Sequence, residues 1–87
     1  MDIIRVSGSS QTSKVAGAIA GVMRERDHVD VQAIGARAVN QAAKAITLAR
    51  TFLEEDGIDI VFVPELVGVR IDDKLRTAMK FSVQRRV

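Results

Sequence analysis

The sequence predicts an α/β fold, a two-layer sandwich of element order β-α-β-α-β-β, with both helices on one face of a four-stranded mixed sheet. Three features predict it. Short β-branched runs alternate with stretches whose apolar residues recur every three or four positions. The first two strands are each followed by a helix. The last third of the chain alternates residue by residue around an Asp72-Asp73 turn. Right-handed crossovers from parallel strands put both helices on the same side of the sheet. One such domain, residues 1–87, accounts for the whole chain.

Ile3, Ile4 and Val6 form the first strand, which runs into the polar loop Ser7-Gly8-Ser9-Ser10-Gln11-Thr12-Ser13, where Thr12 or Ser13 is expected to cap a helix. That helix covers Lys14 to about Arg26, with Val15, Ile19, Val22 and Met23 on its core face. Gly17 and Gly21 each cost it about 1 kcal/mol relative to alanine, and their expected benefit is close approach to a neighbouring element. Val29 to Ile34 form the second strand, entered through an Arg26-Asp27-His28 turn that leaves His28 exposed, and closed by Gly35. In the second helix Val39, Ala42 or Ala43, Ile46, Ala49 and Leu53 face the sheet. Ala45, Leu48 and Phe52 make a second apolar stripe, read as the contact face of a homodimer.

Gly57 stops this helix, Ile58 to Val63 is a third strand, and Pro64 argues for an edge or a bend. In the hairpin, Val67, Val69 and Ile71 and then Leu75, Thr77, Met79, Phe81 and Val83 are expected on one side, with Arg70, Arg76, Lys80 and Gln84 facing water. No internal repeat or low-complexity segment interrupts the chain.

Hydrophobic residues at 47% and charged residues at 28% are those of an ordinary globular protein. The absence of cysteine excludes disulfides, thiolate metal sites and cysteine nucleophiles, and a lone histidine, His28, excludes multi-histidine sites. Asp72-Asp73 is read as a solvated turn, so no metal and no cofactor are expected. Gly8-Ser9-Ser10 lacks the lysine of a P-loop, and Gly35-Ala36-Arg37-Ala38 is not a dinucleotide fingerprint, so no enzyme is expected. The longest apolar run, Val15 to Met23, falls well short of the roughly 18 residues of a membrane span, and Met1 leads directly into a strand. These features predict a cytoplasmic protein with neither leader nor membrane contact.

Charge is segregated along the chain. Ile3 to Arg24 and Val31 to Leu53 contain no acid. Residues 54–73 hold Glu54, Glu55, Asp56, Asp59, Glu65, Asp72 and Asp73 against Arg70 alone, and Lys74, Arg76, Lys80, Arg85 and Arg86 follow without an acid. Parallel first and second strands would bring both helix N-termini to one end of the sheet, where unpaired N–H groups attract phosphate or carboxylate. Lys14 and Arg37 stand at those helix starts, with Asn40, Gln41 and Lys44 following, and Ser9, Ser10, Gln11, Thr12 and Ser13 can add hydrogen bonds. Cations there oppose the helix dipole, which makes sense for an anionic partner. Phe52, Phe62 and Phe81 are the only aromatic residues and read as core or interface, so stacking of single-stranded bases is not the expected mode.

The segments Val15-Ala16-Gly17-Ala18-Ile19-Ala20-Gly21-Val22, Arg24-Glu25-Arg26, Val31-Gln32-Ala33-Ile34-Gly35-Ala36 and Val39-Asn40-Gln41-Ala42-Ala43-Lys44-Ala45 resemble, in order and spacing, the bacterial stage V sporulation protein S family. The resemblance runs nearly end to end. It implies a small cytoplasmic regulatory protein without known catalysis, linked in spore formers to septation and coat assembly. Arg37-Ala38-Val39-Asn40-Gln41-Ala42 is also similar to the turn and helix start of the archaeal chromatin protein family Alba, with Ala36 in place of a glycine. That resemblance implies an Alba-like fold, a dimer, and nucleic-acid contact through the first loop, the second helix start and the hairpin. Ser9 and Ser10 stand where Alba has paired lysines, and the tip Asp72-Asp73 is not basic, which argues against tight nonspecific DNA coating.

The expected function is therefore a non-enzymatic regulatory protein that binds nucleic acid, DNA or RNA, through its phosphate backbone. Lys14, Arg37 and Lys44 would supply charge, and Arg70, Lys74 and Arg76 would extend the footprint along the hairpin. Two alternatives remain at this stage: a protein-interaction module in cell-division or sporulation control that does not touch nucleic acid, and a small-anion or nucleotide sensor at the paired helix starts.

Overall fold

The computed structural model describes residues 3–86. Its elements are β1 (Ile3–Val6), α1 (Thr12–Glu25), β2 (His28–Ala33), α2 (Ala36–Leu53), a 3₁₀ turn (Glu54–Asp56), β3 (Ile60–Ile71) and β4 (Lys74–Arg85). The sheet order is β1-β2-β4-β3. β1 and β2 are parallel, and the other two pairs are antiparallel. This is the fold class that the periodicity predicts.

Both helices lie on one face of the sheet because each follows a strand whose alternate residues need covering. Val29, Val31 and Ala33 of β2 and Phe81 and Val83 of β4 are buried beneath them. The helices contribute small residues to this layer: Ala16 and Ala20 from α1, and Ala38, Ala42, Ala45 and Ala49 from α2 are almost or wholly inaccessible. Short side chains let α1 and α2 pack against each other as well as against the strands. Ile19, Met23, Ile46, Leu53 and Ile60 fill the volume between the layers. Arg85 closes one end by donating to the Met23 carbonyl at 2.9 Å, which places a cation at the C-terminus of α1.

The hairpin sets the shape. Its strands have 12 residues each. At about 3.4 Å per residue they span about 40 Å, close to the 42 Å long axis. Helices of 14 and 18 residues, at 1.5 Å per residue, cover only part of that length. The tip therefore projects past both helices. Asp72 and Asp73 make the turn with φ of 50° and 62°. Two positive values are what a tight hairpin turn matching the strand twist requires, and aspartate tolerates them.

Several expectations are corrected. The third strand and the first arm of the hairpin form one continuous strand, and Pro64 is accommodated because β3 lies at the sheet edge. The apolar residues of the two arms do not share a face. The turn makes Ile71 the partner of Lys74, so odd positions of β3 pair with even positions of β4. Val67, Val69 and Ile71 thus lie with Ala78, Arg76 and Lys74 on the side away from the helices, while Leu75, Met79 and Phe81 lie with Arg70, Leu66 and Pro64 on the helix side.

His28 belongs to β2, half-buried, where its Nε2 lies 2.8 Å from Ser82 Oγ and 3.0 Å from the buried Asp30 Oδ1. Both oxygens meet the same ring nitrogen, whereas a nucleophile relay needs the acid on the other one, so the cluster satisfies Asp30 rather than forming a triad.

Gly17 and Gly21 are exposed, and a Cβ built on either meets nothing within 4 Å. The buried positions of α1 are Ala16, Ile19, Ala20 and Met23, so the two glycines fall on the solvent side and no backbone approaches them. Replacing either by alanine is expected to raise stability by about 0.5–1 kcal/mol, since both positions are helical and unobstructed. Urea unfolding of Gly17→Ala and Gly21→Ala measures this, and a loss of stability in both would show that a neighbour occupies the space.

Candidate nucleic-acid interface

The parallel β1–β2 pair delivers the first loop and the start of α2 to the same end of the sheet. Gly35, at φ 90° and ψ 158°, turns the chain from β2 into α2. A side chain would be strained there. Gly8 permits a second close approach: a Cβ on it would lie 3.1 Å from Arg37 Cβ and 3.7 Å from Arg37 Nε. The Arg37 side chain consequently lies along the first loop instead of away from it. Gln41 fixes the same junction by donating from Nε2 to the Ser10 carbonyl at 2.8 Å. Gly8, Ala36, Arg37, Asn40 and Gln41 line an open depression of about 470 Å³.

Neither helix N-terminus has a side-chain cap. Gln11 and Gly35 occupy the cap positions, and no acid stands in either first turn. Thr12 and Ser13, expected as caps, lie inside α1. Their place is taken by a knot of hydroxyls in which Ser10 Oγ accepts from the Ser7 amide at 2.9 Å and Ser7 Oγ lies 3.1 Å from Ser9 Oγ. This knot shapes the loop, and no side chain caps the first-turn N–H groups of either helix. Lys14, Arg37 and Lys44 are exposed and make no ion pair among the described residues.

Asp56 and Asp59 lie at the opposite end and are matched there, whereas Asp72 and Asp73 sit at the hairpin tip, on the same end as the helix starts. Arg24 meets Asp56 at 2.9 Å, Arg50 meets Asp59 at 3.1 Å, and Arg86 donates to Asp59 at 2.7 Å. The Arg86 hydrogen bond is the main cause that holds the Asp59 carboxyl below its usual range. Lys80 is similarly engaged by Glu65 at 2.8 Å, which raises its affinity for the proton. Positive charge is thus neutralised away from the helix starts and left open beside them.

The remaining sequence-derived candidates are distributed differently. Arg70 donates to the Asp73 carbonyl at 3.4 Å and braces the turn, while Lys74 and Arg76 lie on the other face of the hairpin. Ala45 is fully buried within the chain and cannot meet a partner; of that stripe only the half-buried Leu48 and Phe52, 36% exposed, reach the surface. Larger exposed apolar groups lie on the hairpin instead: Phe62, Val63, Leu66 at 69% and Leu75 at 72%. Sequence reasoning passed over Gly8 and the tether made by Gln41. A glycine embedded in a serine-rich loop was the available signal for the first, and none pointed to the second.

No helix among the described residues is long and apolar enough to cross a membrane, and no group of three or more potential metal ligands is gathered among them. A family model described as Stage V sporulation protein S (SpoVS) matches residues 2–86. The fold is similar to that of Alba from Thermoplasma volcanium, with a TM-score of 0.68 over 97% of this chain and 100% of that one, at 13% sequence identity. At that identity the likeness establishes a shared architecture.

The Gln41 tether is half-buried, so Gln41→Ala is expected to cost about 1 kcal/mol. Hydrogen exchange should accelerate at the amides of residues 9–12 in the same variant. Unchanged exchange there would mean that the serine knot holds the loop unaided.

Proposed function

The chain belongs to the stage V sporulation protein S family, and on that footing we propose that it is a small, non-enzymatic regulatory protein of the cytoplasm that binds nucleic acid along the phosphate backbone. The observation that carries this reading is the junction of two uncapped helix N-termini with three unpaired cations, Lys14, Arg37 and Lys44, on two chain segments that contain no acid. Phosphate oxygens suit such a surface twice over: backbone N–H groups donate to them, and each neutralised phosphate releases counterions. Asn40 and the hydroxyls of Ser9 and Ser13 supply neutral hydrogen bonds that fix register without reading sequence. Lys74 and Arg76 carry the footprint along the hairpin.

The reading includes a homodimer. On the helix side of β3 and β4, Phe62 lies beside α2 and Pro64, Leu66 and Leu75 continue the strip towards the tip, and β3 is an open edge. An apolar strip beside an unpaired edge strand is an aggregation hazard unless it is covered, and a second copy with the same strip covers it symmetrically. On α2 it is Thr47 and Arg50 that adjoin Phe62 and would flank that contact.

Fluorescence anisotropy with duplex DNA, single-stranded DNA and structured RNA at several salt concentrations tests the first part. Micromolar or tighter binding with a steep salt dependence is expected, and replacing Lys14, Arg37 and Lys44 together by alanine should lower the slope by roughly 0.7–0.9 per lost phosphate contact. An unchanged slope would move the site elsewhere. No binding to any polymer at low salt would favour a protein-interaction role. For the second part, Leu66→Lys alters a side chain 69% exposed in the protomer. It should yield a folded monomer in sedimentation equilibrium. A dimer of unchanged affinity would place the contact on another face.

A further inference from the structure

The first loop borders a second cavity on the side of the sheet that the helices leave open. Its volume is about 430 Å³, within the ~300–1,000 Å³ of small-ligand sites. The strong twist of a two-stranded ribbon bends the hairpin towards β1 and β2. Val67 and Val69 are in consequence half-buried although no helix covers them. One wall of the cleft is Val69 and Ile71 of the hairpin, and the other is Arg5 of β1 with Gln32 and Ile34 at the end of β2.

Arg5 and Gln32 are register partners across the parallel pair, so their side chains rise from the same face side by side. Neither makes a side-chain hydrogen bond or an ion pair among the described residues. The cleft therefore presents five donors of a guanidinium, an amide that both donates and accepts, and a facing wall of β-branched side chains. Flat, polar-edged and apolar-faced ligands meet that description. Gly8 lines this cleft and also the cavity beside Arg37. A strand whose phosphates cross the loop at Gly8 would carry the adjacent nucleotide to the mouth of the cleft.

We propose that this cleft receives a single unpaired nucleobase, its edge bonded by Gln32 and Arg5 and its face against Val69 and Ile71. The inference rests on the nucleic-acid reading given above and adds a substrate class to it: single-stranded or looped nucleic acid over regular duplex. A base within a duplex is stacked and paired and cannot enter, whereas an unpaired base offers its Watson–Crick edge. Stacking on aromatic rings, the commonest way to hold such bases, is not used; hydrogen bonds and aliphatic packing replace it.

The test compares one oligonucleotide as a single strand, as a blunt duplex and as a strand of abasic sugars of the same length, each against the wild-type chain, Gln32→Leu and Arg5→Gln. Thermal unfolding verifies that both variants fold. The wild type should prefer the single strand to the duplex by about tenfold or more, and the abasic strand should lose that preference. Gln32→Leu should weaken single-strand binding by about tenfold and leave duplex binding and its salt slope unchanged; Arg5→Gln should weaken the single strand more than the duplex. Equal affinity of the wild type for all three forms, or a Gln32→Leu effect that is the same on each, overturns the base site and leaves the backbone reading standing. Binding to none of them overturns both.

Discussion

Two parallel strands cannot be joined by a tight turn, so the chain between β1 and β2 must cross the sheet and return. Here the crossing is α1. Once β1 and β2 pair in parallel, the loops that follow them leave from the same end, and each opens a helix. Everything proposed for the molecule depends on that geometry. It joins two sets of unsatisfied N–H groups and brings Gly8 to Arg37, and Ser10 to Gln41, although the first loop and α2 are far apart in sequence. Alanines in both helices make the arrangement possible, since bulkier side chains at Ala16, Ala20, Ala42 or Ala45 could not remain buried in the same layer.

Electrostatics follow the same axis. Arginines in the last turn of each helix, Arg24 and Arg50, complement the negative helix ends and also hold Asp56 and Asp59. At the positive ends the usual complement is missing. No acid occupies a first turn, no side chain caps the N–H groups, and cations stand where they are locally unfavourable. A fold optimised for stability alone would place Asp or Ser at the Gln11 cap of α1, while the positive φ of Gly35 reserves the α2 cap for glycine. The departure costs stability only in the absence of an anion, which is why it reads as a site.

Element order was legible because helix and strand periods differ and because each helix buries a stripe that its sequence displays. Other features depended on pairings that no local pattern encodes. The alternation of Val67 to Val83 suggested one dry face, but the two-residue turn makes Ile71 face Lys74 and reverses the parity of the second arm. Gly17 and Gly21 looked like a contact and proved exposed, because each lies one residue, about 100° around α1, from the buried Ala16 and Ala20. Ala45, on the stripe that resembles a partner face, lies in the core. Lys14, Arg37 and Lys44 could be found because sign and position along the chain sufficed. Arg5 and Gln32 could not, since their adjacency exists only once β1 and β2 are in register.

The central claim is that the end of the sheet carrying both helix N-termini meets the phosphate backbone. Backbone amide chemical shifts during titration with a short oligonucleotide examine it residue by residue. The largest shifts are expected at residues 8–14 and 35–41, the loop and the two first helical turns, with residues 54–59 at the opposite end unmoved. Shifts confined to the β3 edge or to the solvent side of α1 would contradict it.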